Sequence, residues 1–258
     1  MPELVEVELS RQLAGALAGR RVRSVEVPDP YASPLGPRAL AQALIGTEFG
    51  LPRRRGKLLL LDTDGPTLAL HFGMSGRLRL DGRTALGPLR YAPSGLEVRW
   101  LRFSLGLEDG GRLELFDPRR LARVTLDPDE ESLGPDAATL TLAQLRSALG
   151  RGHRSALKAC LLDQRRVAGI GNLICDEVLW RSGLAPSRPA GSLGETELHR
   201  LHRQLRKTIA LLLDQGGSHT GTLTPLRRRG SRCPKDGSPL ARSVVGNRTT
   251  YWCPAHQR

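Results

Sequence analysis

The sequence is poor in aromatic residues, in cysteine and in long apolar runs, and these shortages exclude whole classes of protein. No apolar run approaches the roughly 20 residues that a membrane-spanning helix needs. Four cysteines in 258 residues are too few for a disulfide framework. The amino terminus is acidic and amphipathic rather than basic and then apolar, so it does not look like a secretory signal peptide. We therefore expect a globular protein of the cytoplasm.

Acidic residues are also scarce relative to basic ones. The chain has 39 Lys and Arg against 26 Asp and Glu, which gives a net charge of +13 and a pI near 10.8. A GC-rich genome would explain why Arg outnumbers Lys, but it would not explain the net excess of positive charge. Arginine pairs with phosphate through a planar fork of donors. A long polyanion is therefore the expected partner, with nucleic acid as the first candidate.

Apolar spacing predicts strands in the first half of the chain and helices in the second. The elements expected before residue 128 are helix 3–18, strand 22–27, helix 38–45, the hairpin 58–61 and 67–72, and strands 77–80, 96–105 and 112–116. From residue 141 the apolar period becomes 3.6, and Thr141–Gln144 and Ser192–Glu195 have the spacing of capping boxes. The helices expected there are 141–150, 154–164, 173–182 and 192–214. The pattern indicates an α+β fold in which a helix leads a β-sandwich or barrel and helices follow.

The first residues combine proline with three carboxylates. Pro2 becomes the amino terminus if Met1 is trimmed, and Glu3, Glu6 and Glu8 follow it. An α-amine has a pKa near 7.7–8.0, so it is partly unprotonated at neutral pH and can form a Schiff base with an aldehyde. The alternative is a purely structural helix start, since proline and acidic residues are both favoured in a first turn.

The C-terminal segment, residues 232–258, contains two matched pairs of potential metal ligands. The spacing C-x2-D-x16-C-x2-H is formed by Cys233, Asp236, Cys253 and His256. Two-residue gaps allow both side chains of a pair to reach one tetrahedral ion, and the segment is too small for a core of its own. Either these four residues bind Zn²⁺, or the segment has lost its metal and is held by packing. Cys160 and Cys175 lie in apolar helical context and are expected to be buried.

Three further patterns carry weaker signals. Gly169-Ile170-Gly171-Asn172 separates two predicted helices, where exposed amides can bind an anion; a plain turn is the alternative. Loops at strand ends place Met74 and Leu121 among basic residues. Apolar side chains beside arginine can be inserted into a duplex from which a base is removed, although core packing would explain the same residues. A predicted hairpin from Val244 to Trp252 could present Arg248 to a phosphate.

Together these stretches resemble one family along essentially the whole chain, the formamidopyrimidine-DNA glycosylase/endonuclease VIII (Fpg/Nei) DNA repair enzymes. The resemblance rests on MPEL-x-EVE at 1–8, Gly56-Lys57, HFGMSGRL at 71–78, DPRRL at 117–121, LGPD at 133–136, ALKACLLDQRRVAGIGNLICDEVLWRSGLAP at 156–186 and RTTYWC at 248–253. It implies an N-terminal catalytic β-sandwich domain, a helix–two-turns–helix DNA-binding domain and a zinc-ribbon-like hairpin module. We place these domains at 1–127, 128–220 and 221–258.

The resemblance also implies a mechanism on double-stranded damaged DNA. Pro2 would attack C1′ and hold the sugar as a Schiff base, Glu3 would help to open the sugar ring, and Glu6 would support proton transfers. Lys57 would assist β-elimination and Arg248 δ-elimination. The residues expected to clamp phosphates are His71, Asn172 and Arg248, and those expected to fill the gap left by the flipped base are Met74, Arg119 and Leu121. No organic cofactor is needed, and a monomer near the nucleoid is expected.

The chain departs from the family pattern at several positions. Val5 replaces a proline, Leu121 replaces a common phenylalanine, and Asp236 and His256 replace two zinc cysteines. The segment between Gly217 and Cys233 is short, which weakens any prediction of 8-oxoguanine specificity. The family's phosphate-binding histidine has no equivalent between 85 and 95, where this chain offers Arg90.

Two rival hypotheses remain beside the enzyme. One is a non-enzymatic binder of damaged or abasic DNA on the same scaffold, and the other is a zinc-ribbon RNA-binding protein. Retention of Pro2, Glu3, Lys57 and Arg248 favours a glycosylase with abasic-site (AP) lyase activity, because a pure binder has no use for the first two.

Overall fold

The computed structural model describes residues 2–87, 93, 95–150 and 152–258. The chain forms two compact units, Met1–Glu130 and Glu131–Arg258, and each is described by itself. The division into three domains stays a prediction. Met1, Arg90 and their expected roles lie outside the described residues.

The first unit is a β-sandwich led by a helix, as the sequence predicted. Its helices are α1 (Leu4–Ala14) and α2 (Gly36–Leu44), and its strands are β1 (Val22–Glu26), β2 (Arg53–Arg55), β3 (Leu58–Leu61), β4 (Leu68–His71), β5 (Arg77–Leu80), β6 (Arg83–Thr84), β7 (Leu101–Leu107), β8 (Arg112–Phe116) and β9 (Arg123–Leu126). One sheet has the order β1-β7-β8-β5-β6 and the other β2-β3-β4-β9. Every pairing in these sheets is antiparallel.

The core lies between the two sheets because each supplies a row of inward-facing apolar residues. Leu59 and Leu61 of β3 face the same side of their sheet as Leu68 and Leu70 of β4. These four residues form one buried cluster with Phe103 of the opposite sheet. Alternation places side chains i and i+2 on one face of a strand. Full burial of a leucine or phenylalanine side chain contributes about 1.5–3 kcal/mol. The sandwich therefore supplies a stable base for the loops at its strand ends.

The first unit differs from the sequence predictions in several places. Arg53–Arg55 and Arg83–Thr84 were not among the predicted strands, but they form β2, which pairs with β3, and β6, which pairs with β5. Strand β7 starts at Leu101, because residues Val98–Trp100 form a 3-10 turn. Helix α2 starts at Gly36 rather than at 38. Strand β9, Arg123–Leu126, was missed since its alternation is short and basic; only its pairing with β4 defines it.

The described residues of the second unit form four helices and a hairpin. They are α3 (Leu142–Leu149), α4 (Leu157–Leu162), α5 (Asn172–Ser182), α6 (Glu195–Asp214), β10 (Ala241–Val245) and β11 (Arg248–Trp252). The β10–β11 hairpin turns at Gly246-Asn247, as predicted, with both residues at positive φ. No helix in the described part of the chain combines the length and the apolar character that a membrane crossing requires.

Helix boundaries in the second unit correct three predictions. The Thr141–Gln144 capping box is present, with bonds of 3.2 and 2.8 Å. The box predicted at Ser192 is wrong, because α6 begins at Glu195 and Glu197 accepts the Gly194 amide at 3.0 Å. Asn172 is the first residue of α5 and not its N-cap, which is Gly171. Helix α4 covers only Leu157–Leu162 of the predicted 154–164.

Candidate functional site

The amino-terminal turn is buried, and two of its three carboxylates are part of it. Pro2 is buried, Glu3 is 0 % exposed and Glu6 is 2 % exposed. The Glu3 amide donates to Glu6 Oε2 at 2.8 Å. This amide belongs to the peptide bond between Pro2 and Glu3, so Glu6 fixes the backbone plane next to the proline ring. The turn thus holds Pro2 and two carboxyl groups in a confined place.

Glu8 has a different role from Glu3 and Glu6. Its carboxylate accepts bonds from Arg11 at 2.7 Å and from Arg54 at 3.1 Å. Burial raises the pKa of Glu8, but the hydrogen bonds and charges of these two arginines outweigh it and the net pKa is lowered. Glu8 therefore ties α1 to β2 as a permanent anion.

Lys57 and His71 come together at the adjoining ends of β3 and β4. Lys57 follows Gly56 in the turn before β3, and the cross-strand partner of Leu58 is His71. Burial, and then the charges of Lys57 and Arg123, lower the pKa of His71 from 6.5. The Gly73 amide donates to His71 Nδ1 at 3.2 Å, so the neutral ring carries its proton on Nε2. His71 is consequently a neutral hydrogen-bond donor at pH 7.

The loops that carry Met74 and Leu121 are locked together by one buried carboxylate. Asp117, 0 % exposed, accepts the amides of Leu121 and Ala122 at 2.6 and 2.7 Å. It also accepts the Arg119 amide at 3.0 Å and the hydroxyl of Ser75. Because Ser75 belongs to the Met74 loop, Asp117 joins both loops.

Close backbone packing reinforces this junction. A Cβ on Gly73 would lie 2.5 Å from the Leu121 carbonyl carbon, and Gly73 has φ +57°, so a side chain there would both clash and strain the backbone. Met74 is half-buried and Leu121 is 41 % exposed. The structure thus brings the loop of Met74 and the loop of Arg119 and Leu121 together, and the insertion of these residues into DNA stays a prediction. The joining residues Asp117 and Ser75 were missed, although both lie within the quoted motifs.

In the second unit, Asn172 lies beside the hairpin that carries Arg248. Asn172 Nδ2 donates to the carbonyl oxygen of Thr249 at 3.1 Å, and Arg248 is exposed at the start of β11. Gly169, with φ +104°, allows the turn that brings α5 to this position. The start of α5 and the hairpin tip therefore form one polar surface.

A buried ionic cluster of Lys158, Asp176 and Arg227 lies beneath this surface. Sequence analysis did not predict it. Lys158 is 0 % exposed, and its Nζ donates to Asp176 at 2.5 Å and to Thr250 Oγ1 at 2.8 Å. Arg227 pairs with Asp176 as well and donates to the Thr249 carbonyl at 2.9 Å. The cluster connects α4, α5 and β11. The only sequence signal was a lysine and an aspartate within otherwise apolar helices.

The four predicted metal ligands lie together. Their ligand atoms are all within 4.8 Å of one another. Cys233 Sγ lies 3.6 Å from His256 Nδ1, and Asp236 Oδ2 lies 3.0 Å from His256 Nδ1 and 3.2 Å from Cys253 Sγ. A tetrahedral ion with bonds of about 2.0–2.3 Å separates its ligands by roughly 3.3–3.8 Å. The 3.6 Å separation falls in this range and those of 3.0 and 3.2 Å fall just below it, so the cluster is compatible with zinc.

The surroundings of His256 also favour metal binding. Its Nε2 lies 3.2 Å from the Trp180 carbonyl oxygen, so that nitrogen donates and Nδ1 is left to coordinate. The Ser238 amide donates to Asp236 at 2.9 Å, and the pKa of Asp236 is lowered chiefly by this backbone hydrogen bond. Asp236 is thus ionised, as a metal ligand must be.

Comparison with known sequences agrees with this arrangement. Residues 1–124 match the formamidopyrimidine-DNA glycosylase N-terminal domain, and residues 131–224 match the formamidopyrimidine-DNA glycosylase H2TH domain. The chain belongs to the formamidopyrimidine-DNA glycosylase family. Membership supports a DNA glycosylase function in DNA repair.

Relatives and solved structures extend the match to the full length. Formamidopyrimidine-DNA glycosylases of Alkalilimnicola ehrlichii and Geobacter metallireducens are each 34 % identical, over 100 % of both chains. The structure of Lactococcus lactis Fpg with DNA containing an abasic site superposes with a TM-score of 0.83 at 25 % identity, again over 100 % of both chains. A mutant of that protein with DNA containing Fapy-dG gives 0.84 at 25 % identity and the same coverage. These structures share the α+β architecture of sandwich, helical region and C-terminal hairpin.

Proposed function

We propose that the chain is a bifunctional DNA glycosylase and AP lyase that excises oxidised bases from double-stranded DNA in base excision repair. The main support is the buried turn of Pro2, Glu3 and Glu6, in a chain that matches DNA glycosylases over its whole length. A protein that only binds DNA has no need for an amine with two enclosed carboxyl groups. The partners proposed are damaged duplex DNA and no second copy of the chain.

In this proposal the nitrogen of Pro2, exposed after removal of Met1, attacks C1′ of the damaged nucleotide. The C1′–base bond breaks, and the base leaves with a proton. Glu3 protonates the ring oxygen, so that the sugar opens to a cationic Schiff base (an iminium ion) on Pro2, whose nitrogen carries no proton. Loss of a C2′ proton then breaks the C3′–O3′ bond, and a second elimination breaks the C5′–O5′ bond. Water finally releases the sugar remnant and regenerates the amine.

Other predicted residues would serve this chemistry through binding. Lys57 is proposed to bind phosphate and assist β-elimination, and Arg248 to assist δ-elimination. His71, neutral with its proton on Nε2, can donate to a phosphate oxygen, as can Asn172 and Arg248. Met74, Arg119 and Leu121 are proposed to occupy the gap left by the extruded nucleotide.

Borohydride trapping on a duplex with an abasic site tests the mechanism. Wild-type protein lacking Met1 should give a covalent adduct, and Pro2→Gly should weaken trapping greatly. Glu3→Gln should mainly reduce base excision. Glu8→Gln is the matched control on the same helix, because Glu8 is engaged by two arginines away from the turn. Absence of any adduct would favour the non-enzymatic binder of abasic DNA.

A form that keeps Met1 provides a second test. It has no free proline amine, so it should bind DNA and yet lack lyase activity. Binding of either form should weaken steeply as salt rises, since several phosphates are neutralised. Affinity that does not change between low and high salt would contradict DNA as the partner.

The choice of damaged base is proposed to depend on the short segment after α6. The segment after α6 forms two short 3-10 turns, Ser218–Thr220 and Thr224–Leu226. Glu177 of α5 accepts the Thr222 and Leu223 amides at 3.2 and 2.7 Å, so this segment is tied to the helix. A panel of duplexes with 8-oxoguanine, formamidopyrimidine, thymine glycol, 5-hydroxycytosine and an abasic site would rank the substrates.

We also propose that Cys233, Asp236, Cys253 and His256 hold one structural Zn²⁺. The ion would crosslink the two ends of the hairpin module and would take no part in the reaction. Metal analysis should find about one zinc per chain. Less than half an equivalent in protein purified without chelator would contradict the site.

A further inference from the structure

Arg120 has an unusual backbone between the two exposed residues of its loop. Its φ is +57°, in the left-handed region that side chains other than glycine rarely adopt. Arg119 and Leu121 flank it; the Asp117 carboxylate accepts their amides, and the Asp117 carbonyl oxygen accepts the Arg120 amide at 3.3 Å. The Arg120 side chain adds an interaction outside this turn.

Asp29 supplies that interaction from a distant part of the first unit. It is 4 % exposed and accepts Arg120 Nε at 2.7 Å and a terminal nitrogen at 2.9 Å. Such two-point pairing fixes the orientation of a guanidinium as well as its position. The hydrogen bond from Arg120 is the largest cause of the lowered pKa of Asp29. The Tyr31 amide, at 3.1 Å, holds the carboxylate in place.

Tyr31 covers the other side of the pair. Its side chain is 67 % exposed, and the Arg120 guanidinium lies 4.7 Å from the centre of its ring. A cation over an aromatic face contributes roughly 0.5–1 kcal/mol at exposed sites. Arg120 is thus held by a carboxylate and stacked on an aromatic ring, although its own side chain is 51 % exposed.

We propose that Asp29 and Arg120, stacked on Tyr31, are positioning residues that set the direction of Arg119 and Leu121 for insertion into DNA. Asp117 fixes the backbone of the loop on both sides of Arg120, and Asp29 fixes the Arg120 side chain to a distant part of the first unit. The second attachment is needed because backbone hydrogen bonds within the loop do not fix the loop against the rest of the unit. The inference rests on the proposed function, in which these two residues fill the gap in the duplex.

The experiment uses the full-length protein and a duplex with a tetrahydrofuran abasic analogue, which cannot be cleaved, opposite 2-aminopurine. Insertion beside the gap unstacks the opposite base and raises its fluorescence. Arg120→Ala and Asp29→Asn should reduce this rise while the midpoint of thermal unfolding changes little. Single-turnover excision from a damaged duplex should fall about tenfold, the scale that a modest misplacement produces. Cleavage of an abasic site in single-stranded DNA, where no gap is filled, should be nearly unchanged.

Two further variants separate positioning from other effects. Arg120→Gly accepts φ +57° without strain but has no partner for Asp29, so it should behave like Arg120→Ala. Arg112→Ala is the matched control: Arg112 is 48 % exposed and paired with Glu26 at 2.8 Å, and the variant loses one positive charge. It should retain both the fluorescence rise and the excision rate.

The outcomes are distinct for each hypothesis. A wild-type fluorescence rise in Arg120→Gly or Asp29→Asn would overturn the positioning role. Equal losses of fluorescence rise and excision rate in Arg120→Ala and Arg112→Ala would mean that Arg120 contributes only positive charge. That result would also overturn the positioning role. Failure of borohydride trapping would reject the lyase proposal, but the fluorescence measurement involves no chemistry and would still decide the role of Arg120.

Discussion

Asp117 in the first unit and Asp176 in the second are both buried carboxylates beneath elements proposed to meet DNA, yet they have different partners. Asp117 is 0 % exposed and accepts hydrogen bonds from amides and from Ser75. Asp176 is 2 % exposed and pairs with Lys158 and Arg227. The first carboxylate is solvated by neutral dipoles, whereas the second neutralises two cations.

This difference shows how the positive charge of the chain is divided. Asp117 uses only the backbone amide of Arg119, so the guanidinium of that exposed residue is not drawn to it. Lys158 and Arg227, with side chains 0 % and 6 % exposed, form buried ion pairs inside the second unit. The net charge of +13 therefore counts some cations that hold the protein together and never reach a phosphate.

The largest expected effect is at the ionic cluster. Asp176→Ala would leave the buried Lys158 and Arg227 without their counter-ion, which costs about 3–5 kcal/mol. Urea unfolding followed by a probe of the second unit should show this loss. Lys158→Met combined with Asp176→Leu should regain the part that comes from Lys158, because only Arg227 then lacks the carboxylate. If the double variant were less stable than Asp176→Ala, the ionic account of this cluster would be wrong.

Substitution of Asp117, whose partners are uncharged amides and a hydroxyl, should lower the free energy of unfolding by less. Asp117→Asn keeps the shape but replaces one acceptor oxygen by an NH₂ group, so at least one amide loses its partner, at about 2–3 kcal/mol. Asp127→Asn is the control, since exposed Asp127 accepts only the Thr67 amide in the described contacts, at 2.9 Å, and should change stability by less than about 0.5 kcal/mol. A comparable loss in both variants would mean that Asp117 is no special anchor.

Removal of one hydroxyl from each cluster sharpens the comparison. Thr250→Val deletes an acceptor of the buried Lys158 ammonium, and Ser75→Ala deletes a donor to Asp117. Both should cost about 1 kcal/mol or more, and Thr250→Val should cost more because its partner is a cation. Chemical denaturation of the two variants measures the order. The reverse order would indicate that the Lys158 ammonium is satisfied without Thr250.

The smallest effect is the pH dependence from His71. Its folded-state pKa is lowered by burial and by Lys57 and Arg123, so the unfolded chain binds its proton more readily. The contribution of neutral His71 to the free energy of unfolding is complete above its pKa in the unfolded chain, near 6.5. This contribution declines as the pH falls below that value. His71→Gln should be less sensitive to pH below about 6.5. An unchanged slope in thermal unfolding would show that His71 is not the responsible group.

Several elements could be read from local sequence because a single physical signal specified them. The β3–β4 hairpin follows from period-2 alternation, and the Thr141 capping box from two side chains that satisfy each other's amides. The grouping of the four proposed metal ligands follows from spacing alone. The errors have two causes: Arg53–Arg55 forms a strand because β3 offers an edge, which is a contact between strands, and α6 starts at Glu195 because Glu197 accepts the Gly194 amide, a local cap that competed with the one predicted at Ser192.

By itself the sequence determined most of the helices and strands, the basic character of the chain, the family resemblance and the identity of the residues proposed for chemistry, from Pro2 to Arg248. Only the tertiary structure decided which charges support others. It paired Asp29 with Arg120 across 91 positions of sequence, joined Ser75 to Asp117, and buried Lys158 against Asp176. The physical reason is that local periodicity reports on burial and turns, whereas a salt bridge or a buried carboxylate depends on distances that only the folded chain defines.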